Sequence, residues 1–225
     1  MATYNDTFTE AANTNLESHT PDSGGSWSEV VDTAGTLVVS VVGATDNLGI
    51  SSGANSQRVI HTVSWTPTSN QYDVSATYVT EGGADDPVWL IARYTDTTHF
   101  YAGGWYLSSA NPDMKIVLCN GASNGTVLVS SNSAPATTNV VKFEIRNAAK
   151  KLYLAGVETC SNADDTLTGT GVCGIGWGNI DSAVATDDAA AAGLRIDDFT
   201  LTDATAAQTS LPPVPSQSIR FTRSR

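Results

Sequence analysis

The sequence predicts an all-β fold in which two antiparallel sheets pack face to face as a sandwich. From 141 to 146, apolar residues alternate strictly with charged ones, which is the period of a strand with one buried face. About a dozen such short segments are separated by turn signals every ~8–12 residues, a spacing typical of sandwiches. Charged residues make up only 15% of the 225 residues. A surface rich in Thr, Ser, Asn and Gly suits strands and tight turns better than helices.

Strand signals in the first half of the chain follow one another at short intervals. Residues 4–8 indicate an edge strand, and Trp27 starts another strand after a turn rich in Pro, Ser and Gly. Residues 46–53 are interpreted as a loop and residues 95–98 as a hairpin turn. The other strands predicted here are 36–42, 57–65, 72–78, 88–94 and 99–107.

The second half continues the pattern. Strands 115–119 and 126–130 are predicted to form a hairpin, because Asn124-Gly125 between them is typical of a turn. Residues 179–193 are interpreted as a loop with an alanine run. The remaining strands are 140–146, 151–155, 171–177 and a last one from Leu194.

The last strand carries a break in phase. Leu194 and Ile196 are two residues apart, as are Phe199 and Leu201, yet the two pairs would face opposite sides. A β-bulge at Asp197-Asp198 restores a single buried face, so we predict one there.

Several motifs then occur in a characteristic order. Residues 152–158 read LYLAGVE, an Asp- and Thr-rich loop follows, and residues 169–176 read GTGVCGIG. An Asp-x-Phe motif opens the chain at Asp6, and an Asp-Asp-Phe motif closes the last strand. Over roughly residues 4–203 the chain thus resembles the laminin-G/concanavalin A-like jelly-roll family, of the kind found in phage capsid decoration proteins and carbohydrate-binding modules. The resemblance implies a jelly-roll sandwich whose opening strand pairs beside its closing strand, but one sandwich hosts many functions.

Charge divides the chain into a domain at 1–203 and a linker with a C-terminal arm at 204–225. The domain holds all 23 acidic residues and eight of the 11 basic ones, a net charge of −15. The arm carries three arginines. An acidic domain argues against nucleic-acid binding, which needs clustered Lys and Arg. No apolar run reaches the ~18 residues of a membrane span, and the N-terminus shows no apolar core of a signal peptide.

Cys119, Cys160 and Cys173 lack metal-site spacing. We expect free thiols, and favour two buried thiols over a disulfide between Cys160 and Cys173.

Two literal catalytic motifs fail in their context. Residues 169–174 read G-x-G-x-x-G, but no helix start follows, so we interpret them as a strand where backbones approach closely. Residues 121–125 read G-x-S-x-G, but lie in a predicted hairpin. Aspartate doublets on strands point to opposite faces and cannot form a glycosidase pair, and the three histidines are isolated, with His61 interpreted as a packed or surface residue. We therefore expect no enzyme.

The sequence suggests two kinds of ligand site, one for a metal ion and one for a glycan. Relatives in the resembled family hold a structural calcium between the opening and closing strands, which here implies Asp6 with Asp197 or Asp198 as ligands. The alternative is that Asp198 caps the bulge through hydrogen bonds. Residues 101–106 carry aromatic side chains on both faces, so one face is predicted to be exposed for glycan stacking; the candidate residues are Tyr101, Trp105 and Tyr106.

The arm suggests a different partner. A polyproline segment followed by alternating arginines is either a disordered terminus or an arm that docks on an acidic surface or a β-edge. The candidate binding residues are Leu211, Pro212, Pro213, Val214, Pro215, Ile219, Arg220, Phe221, Arg223 and Arg225.

These features lead to two functional hypotheses. In the first, the chain is a structural virion protein, made in the host cytoplasm, that cements a phage capsid by binding capsid protein and sister subunits through the arm and a sandwich edge, as a homo-oligomer. In the alternative, it is a carbohydrate-binding module that binds glycans through exposed aromatic residues.

Overall fold

In the computed structural model the chain forms two antiparallel sheets that face each other across a common core, which confirms the predicted jelly-roll sandwich. The structure describes residues 2–32, 38–42, 47–52, 58–80, 87–106, 113–121, 124–178, 180 and 194–204. Within these residues, no helix is long and apolar enough to cross a membrane.

The strands of the described chain are short and connected mainly by tight turns. A 3-10 helix at Leu16–Ser18 follows the second strand. In chain order the strands are β1 (Thr3–Asp6), β2 (Thr14–Asn15), β3 (Trp27–Asp32), β4 (Val38–Val42), β5 (Asn47–Ser52), β6 (Arg58–Val63), β7 (Gln71–Thr80), β8 (Val88–Asp96), β9 (His99–Tyr106), β10 (Asp113–Asn120), β11 (Thr126–Ser131), β12 (Val140–Arg146), β13 (Ala149–Leu154), β14 (Val157–Ala163), β15 (Val172–Gly178) and β16 (Leu194–Asp203).

The larger sheet has nine strands in the order β14-β13-β12-β7-β16-β5-β4-β2, with β1 also paired to β16. The smaller sheet has seven, in the order β11-β10-β9-β8-β15-β6-β3. β16 therefore lies inside the nine-stranded sheet, with β7 on one side and β5 and β1 sharing the other.

The pairing of the first strand with the last confirms the expectation from the Asp-x-Phe and Asp-Asp-Phe motifs. Asp6 lies opposite Phe199. The register between β16 and β7 shifts between Asp197 and Thr200, where the bulge was predicted. Asp198 adopts a φ of 51° there, and its carboxylate accepts a hydrogen bond from the Thr77 hydroxyl at 3.3 Å. The side chain thus supports the bulge.

The two sheets differ in what covers their outer faces. The outer face of the nine-stranded sheet carries a solvated network of charged side chains. Arg146 Nη2 lies 2.7 Å from Asp73 Oδ1, and Lys142 Nζ lies 3.3 Å from Glu144 Oε2. Outside the seven-stranded sheet, by contrast, a second apolar cluster is buried, with Ile180 in it. Its strand residues are Val31, Ile60, Trp89, Ile91, Tyr94, Phe100, Ala102, Val117 and Cys119.

Three strands were missed in the sequence, and one of them, β2, has only two residues. β5 occupies most of the predicted loop at 46–53, where Leu48 is fully buried. β14 occupies a segment interpreted as polar loop, and Cys160 is its one buried residue. β5 forms because it pairs with β4 and β16, and β14 forms because it pairs with β13. This pairing outweighs the weak strand propensity of the two segments. Cys119, Cys160 and Cys173 are all buried, and none of them forms a disulfide, as expected.

Candidate functional site

Loops from both sheets meet at one end of the sandwich, where a single buried guanidinium joins them. Arg93 Nη2 donates to the carbonyl oxygens of Asn70 at 3.1 Å and Asn147 at 2.9 Å. Arg93 Nη1 donates to the Leu167 carbonyl oxygen. Arg93 is only 1% exposed. We call residues 65–70, 147–148 and 164–170 the loop platform.

A second buried cation, the ammonium of Lys150, binds backbone carbonyl oxygens of the same loops. Lys150 Nζ donates to the carbonyl oxygens of Asn147 at 2.8 Å and Ala148 at 3.0 Å, and also to that of Asp164. The ammonium lies 4.6 Å from the ring centroid of Tyr101. Burial, and then the charge of Arg93, lower the pKa of Lys150 to about 8. Since each cation is surrounded by carbonyl oxygens, the loops are fixed by charge-assisted hydrogen bonds.

Two buried tyrosines complete this support. The Tyr101 hydroxyl donates to the Asp164 carboxylate, and the Tyr72 hydroxyl donates to the Thr170 carbonyl oxygen at 3.1 Å. Burial, followed by the hydrogen bond to Asp164, raises the pKa of Tyr101, so the phenol stays protonated. Burial opposes ionisation of Asp164, but hydrogen bonds from Tyr101 and Thr166 outweigh it and lower the pKa of that carboxyl.

The structure corrects the predicted glycan-stacking residues. Tyr101 is fully buried, and Trp105 is 2% exposed and packs edge-on against Tyr78. Both lie on β9, an inner strand of a sheet that is covered on both faces, so neither offers a ring to solvent. The side chain of Tyr106 lies outside the described part of the structure.

Among aromatic residues with described side chains, only Trp65 and Tyr153 are half-buried rather than buried. The face of Tyr153 is occupied by the Lys142 ammonium, 4.2 Å from the ring centroid. Trp65 stands at the start of the loop that leads to Asn70 and packs partly against the core. Of these two aromatic residues, Trp65 is the one that belongs to the loop platform.

The platform presents short polar side chains to solvent. Asn147, Asp165, Thr166 and Thr168 are exposed, and Leu167 between the two threonines is half-buried. Amide, carboxylate and hydroxyl groups on a rigid support can fix the orientation of a ligand rich in hydroxyl groups, while an adjacent apolar surface adds contact area.

The predicted calcium ligands are not brought together. The Asp6 carboxylate is fully buried and accepts hydrogen bonds from His19 Nε2 and Trp27 Nε1, both at 2.7 Å. Asp198 is exposed, and Asp197 is half-buried and accepts a hydrogen bond from the Asp198 N–H at 2.8 Å. Asp6 is buried and Asp198 is exposed, so they face opposite sides of the sheet. The predicted ligand set of Asp6, Asp197 and Asp198 is therefore wrong.

The described residues hold another group of ligand atoms, from Glu17, Glu29 and His61, that lie within 4.8 Å of one another. Sequence reasoning missed it because three separated segments contribute. The docking residues proposed on the C-terminal arm, from Leu211 to Arg225, lie outside the described residues, so their role stays a prediction.

We expect Lys150→Met to lower the free energy of unfolding by about 1–3 kcal/mol, because the carbonyl oxygens of Ala148 and Asp164 lose the ammonium donor and that of Asn147 keeps only its bond from Arg93. Amide hydrogen exchange should increase in the loop platform, where Leu167 N–H donates to Tyr101. The matched control is Lys151→Met, since Lys151 is partly exposed and pairs with Glu158 at 2.7 Å; its effect should be within ~0.5 kcal/mol. Equal urea midpoints for both variants would contradict the anchoring role of Lys150.

No protein-family model matches the sequence, and no curated protein is similar to it at the sequence level. Solved structures with the same fold exist. The carbohydrate-binding module CBM66 from Bacillus subtilis superposes with a TM-score of 0.57 at 13% identity, over 79% of this chain and 95% of that one. The potassium-bound carbohydrate recognition domain of Emp46p gives 0.53 at 11% identity, over 80% and 89%. The GH43 protein BlXynB from Bacillus licheniformis gives 0.56 at 12% identity, over 89% of this chain but only 39% of that one. At these identities the likeness shows the fold alone.

Proposed function

We propose that this jelly-roll domain is a non-catalytic carbohydrate-binding module that binds a glycan at the loop platform. The observation that carries the proposal is the platform itself, on which Arg93 and Lys150 fix loops that present hydroxyl, amide and carboxylate groups. The likeness to CBM66 and to the Emp46p carbohydrate recognition domain supports the ligand class, since each matches over nearly its whole length.

The buried cations give the platform a physical advantage. A ligand that binds mobile loops must order them, at a cost of roughly 0.5–1.5 kcal/mol for each immobilised side chain. Here the backbone of Asn70, Asn147 and Leu167 is already held by one guanidinium. Sugar hydroxyls would then bond to Thr166, Thr168 or Asn147, while an apolar sugar face packs on Trp65.

We propose binding without catalysis. Glycoside hydrolysis needs two carboxyl groups that face each other across a cleft at about 5–10 Å. On the platform Asp164 is engaged by Tyr101 and Thr166, which leaves Asp165 as the exposed acid of this loop. The chain spans only 39% of the GH43 protein, so that likeness carries no reaction to this domain.

The hypothesis of a virion protein stays a prediction. It rests on the arm at 211–225, and no observation on the described residues favours a capsid partner over a glycan. Deletion of 211–225 separates the two hypotheses, because glycan binding at the loop platform should survive it.

We expect Trp65→Ala to weaken glycan binding at least ~10-fold, because it removes the ring on which a sugar face would pack. A glycan array identifies the ligand, and calorimetry then measures affinity. The matched control is Tyr153→Ala, which removes the other half-buried aromatic residue and should leave affinity unchanged.

Because Trp65 also packs partly on the core, a second variant protects the test. Thr166→Ala/Thr168→Ala changes two exposed side chains and should weaken binding without changing the urea midpoint. Absence of any glycan ligand for the wild-type protein, or equal loss in the Tyr153 variant, would refute a site at the loop platform.

A further inference from the structure

Three separated segments bring a histidine and two glutamates together beside the edge of the seven-stranded sheet. Glu29 on β3 lies directly opposite His61 on β6, so their side chains project from the same face. Glu17 belongs to the short 3-10 helix, whose neighbouring Leu16 is fully buried and anchors it to the core. The Glu17 carboxylate and His61 Nε2 form a hydrogen bond.

We propose that Glu17, Glu29 and His61 form a binding site for a divalent first-row transition-metal ion such as Zn²⁺. Their ligand atoms, one imidazole nitrogen and two carboxylate oxygens, lie within 4.8 Å of one another. In a tetrahedral site with bonds of about 2.0–2.2 Å, neighbouring ligand atoms are ~3.4 Å apart. Because both glutamates are exposed, small rotations of their side chains bring the oxygens to that spacing.

The donor set selects the class of metal. Calcium takes six to eight oxygen ligands, which this group does not supply. Imidazole with carboxylates suits zinc and similar ions. Two carboxylates balance the charge of the ion, and the ion takes the place of the proton that now joins His61 to Glu17. Three protein ligands and solvent on the glutamate side leave a coordination position for water.

The other histidines in the described chain show why this group is distinctive. His19 also contacts two carboxylates, but Asp6 is on Nε2 and Glu10 on Nδ1, so the ring lies between them and one ion cannot bind all three. His99 contacts Asp96 at 2.9 Å and forms a group of only two residues. At Glu17, Glu29 and His61, by contrast, all three ligand atoms lie within 4.8 Å of one another.

The test is a zinc titration of the purified full-length chain against a chromophoric chelator. We expect one equivalent of Zn²⁺ per chain for the wild-type protein, and binding at least 10–100-fold weaker in Glu29→Gln and in Glu17→Gln. Both glutamates are exposed, so these variants should fold. His99→Gln is the matched control, because it removes an imidazole paired with a carboxylate elsewhere, and its affinity should equal that of the wild-type protein.

A second readout does not depend on the chelator. At a free zinc concentration ~100-fold above Kd, the thermal midpoint of the wild-type protein should rise by about 5–10 °C, and that of Glu29→Gln should not. Sub-stoichiometric zinc binding, or equal affinity in wild type and Glu29→Gln, would overturn the site. Glycan binding by the loop platform uses other residues, so failure of either proposal leaves the other standing.

Discussion

Gly174→Ala should lower the free energy of unfolding by more than about 4 kcal/mol and leave little soluble protein. Gly174 lies on β15 between β6 and β8, opposite Thr62 and Ile91. A Cβ added there would overlap the His61 carbonyl oxygen and come within 2.9 Å of the Thr62 Cα. Both are backbone atoms, and Cβ has no rotamer that avoids them. Relief therefore requires β6 and β15 to separate, which breaks the hydrogen bonds of the central ladder.

Gly169→Ala is the matched control for this variant. It lies in the same glycine-rich run, and an added Cβ would meet no atom within 4 Å, so its effect should stay within ~0.5 kcal/mol. Urea unfolding followed by tryptophan fluorescence measures both. A Gly174→Ala protein within 1 kcal/mol of the wild type would show that β6 and β15 are not packed as described.

Asp6→Ala should be nearly as damaging, with a loss of about 3–5 kcal/mol, because it leaves buried donors without their acceptor. Asp6 Oδ1 accepts from His19 Nε2 at 2.7 Å and from the Phe8 N–H at 3.0 Å, and Oδ2 accepts from Trp27 Nε1 at 2.7 Å. One buried carboxylate thus joins β1 to His19, which directly follows the 3-10 helix, and to Trp27 on β3. Glu158→Ala is the control for loss of an exposed carboxylate, since Glu158 pairs with the partly exposed Lys151 at 2.7 Å, and it should cost less than ~1 kcal/mol.

The pH dependence of this loss identifies its cause. Burial lowers the pKa of His19, but hydrogen bonds to Asp6 and Glu10 outweigh it, so the pKa is raised above 6.5. A raised pKa means that the folded state holds the proton more tightly than the unfolded state. The stabilisation from His19 is therefore complete below pH ~6.5 and is lost as pH rises through the folded-state pKa. The difference between wild type and Asp6→Ala should narrow over that range; a constant difference would exclude a charged His19.

Local patterning was sufficient to predict much of the fold. Tyr72, Val74, Ala76 and Tyr78 alternate along β7, and all four are buried on one face. The phase break in β16 located a bulge before any partner strand was known. These predictions succeeded because side-chain period depends only on the strand itself. β5 and β14 were missed because their strand geometry depends on their neighbours.

The candidate site was much harder to predict. Arg93 belongs to a strand whose alternation gives no sign of a buried cation, yet its φ of 52° and the shifted register next to it turn its side chain beneath the loops. Tyr101 and Trp105 were expected at a surface because β9 has aromatic residues on both faces. The sequence does not show that the outer face of that sheet is also buried, in a second apolar cluster.

The position of β16 has a consequence for the timing of folding during synthesis. β1 pairs with β16, where Asp6 lies opposite Phe199, and β16 separates β7 from β5 and β1. At ~5–20 residues per second, a ribosome needs roughly 10–40 s to deliver β16 after β1 has been made. Until then, β1, β5 and β7 have unpaired edges, which are prone to pair with other chains. The nine-stranded sheet of a nascent chain therefore cannot be completed until β16, the last strand to be synthesised, inserts between strands that were made earlier.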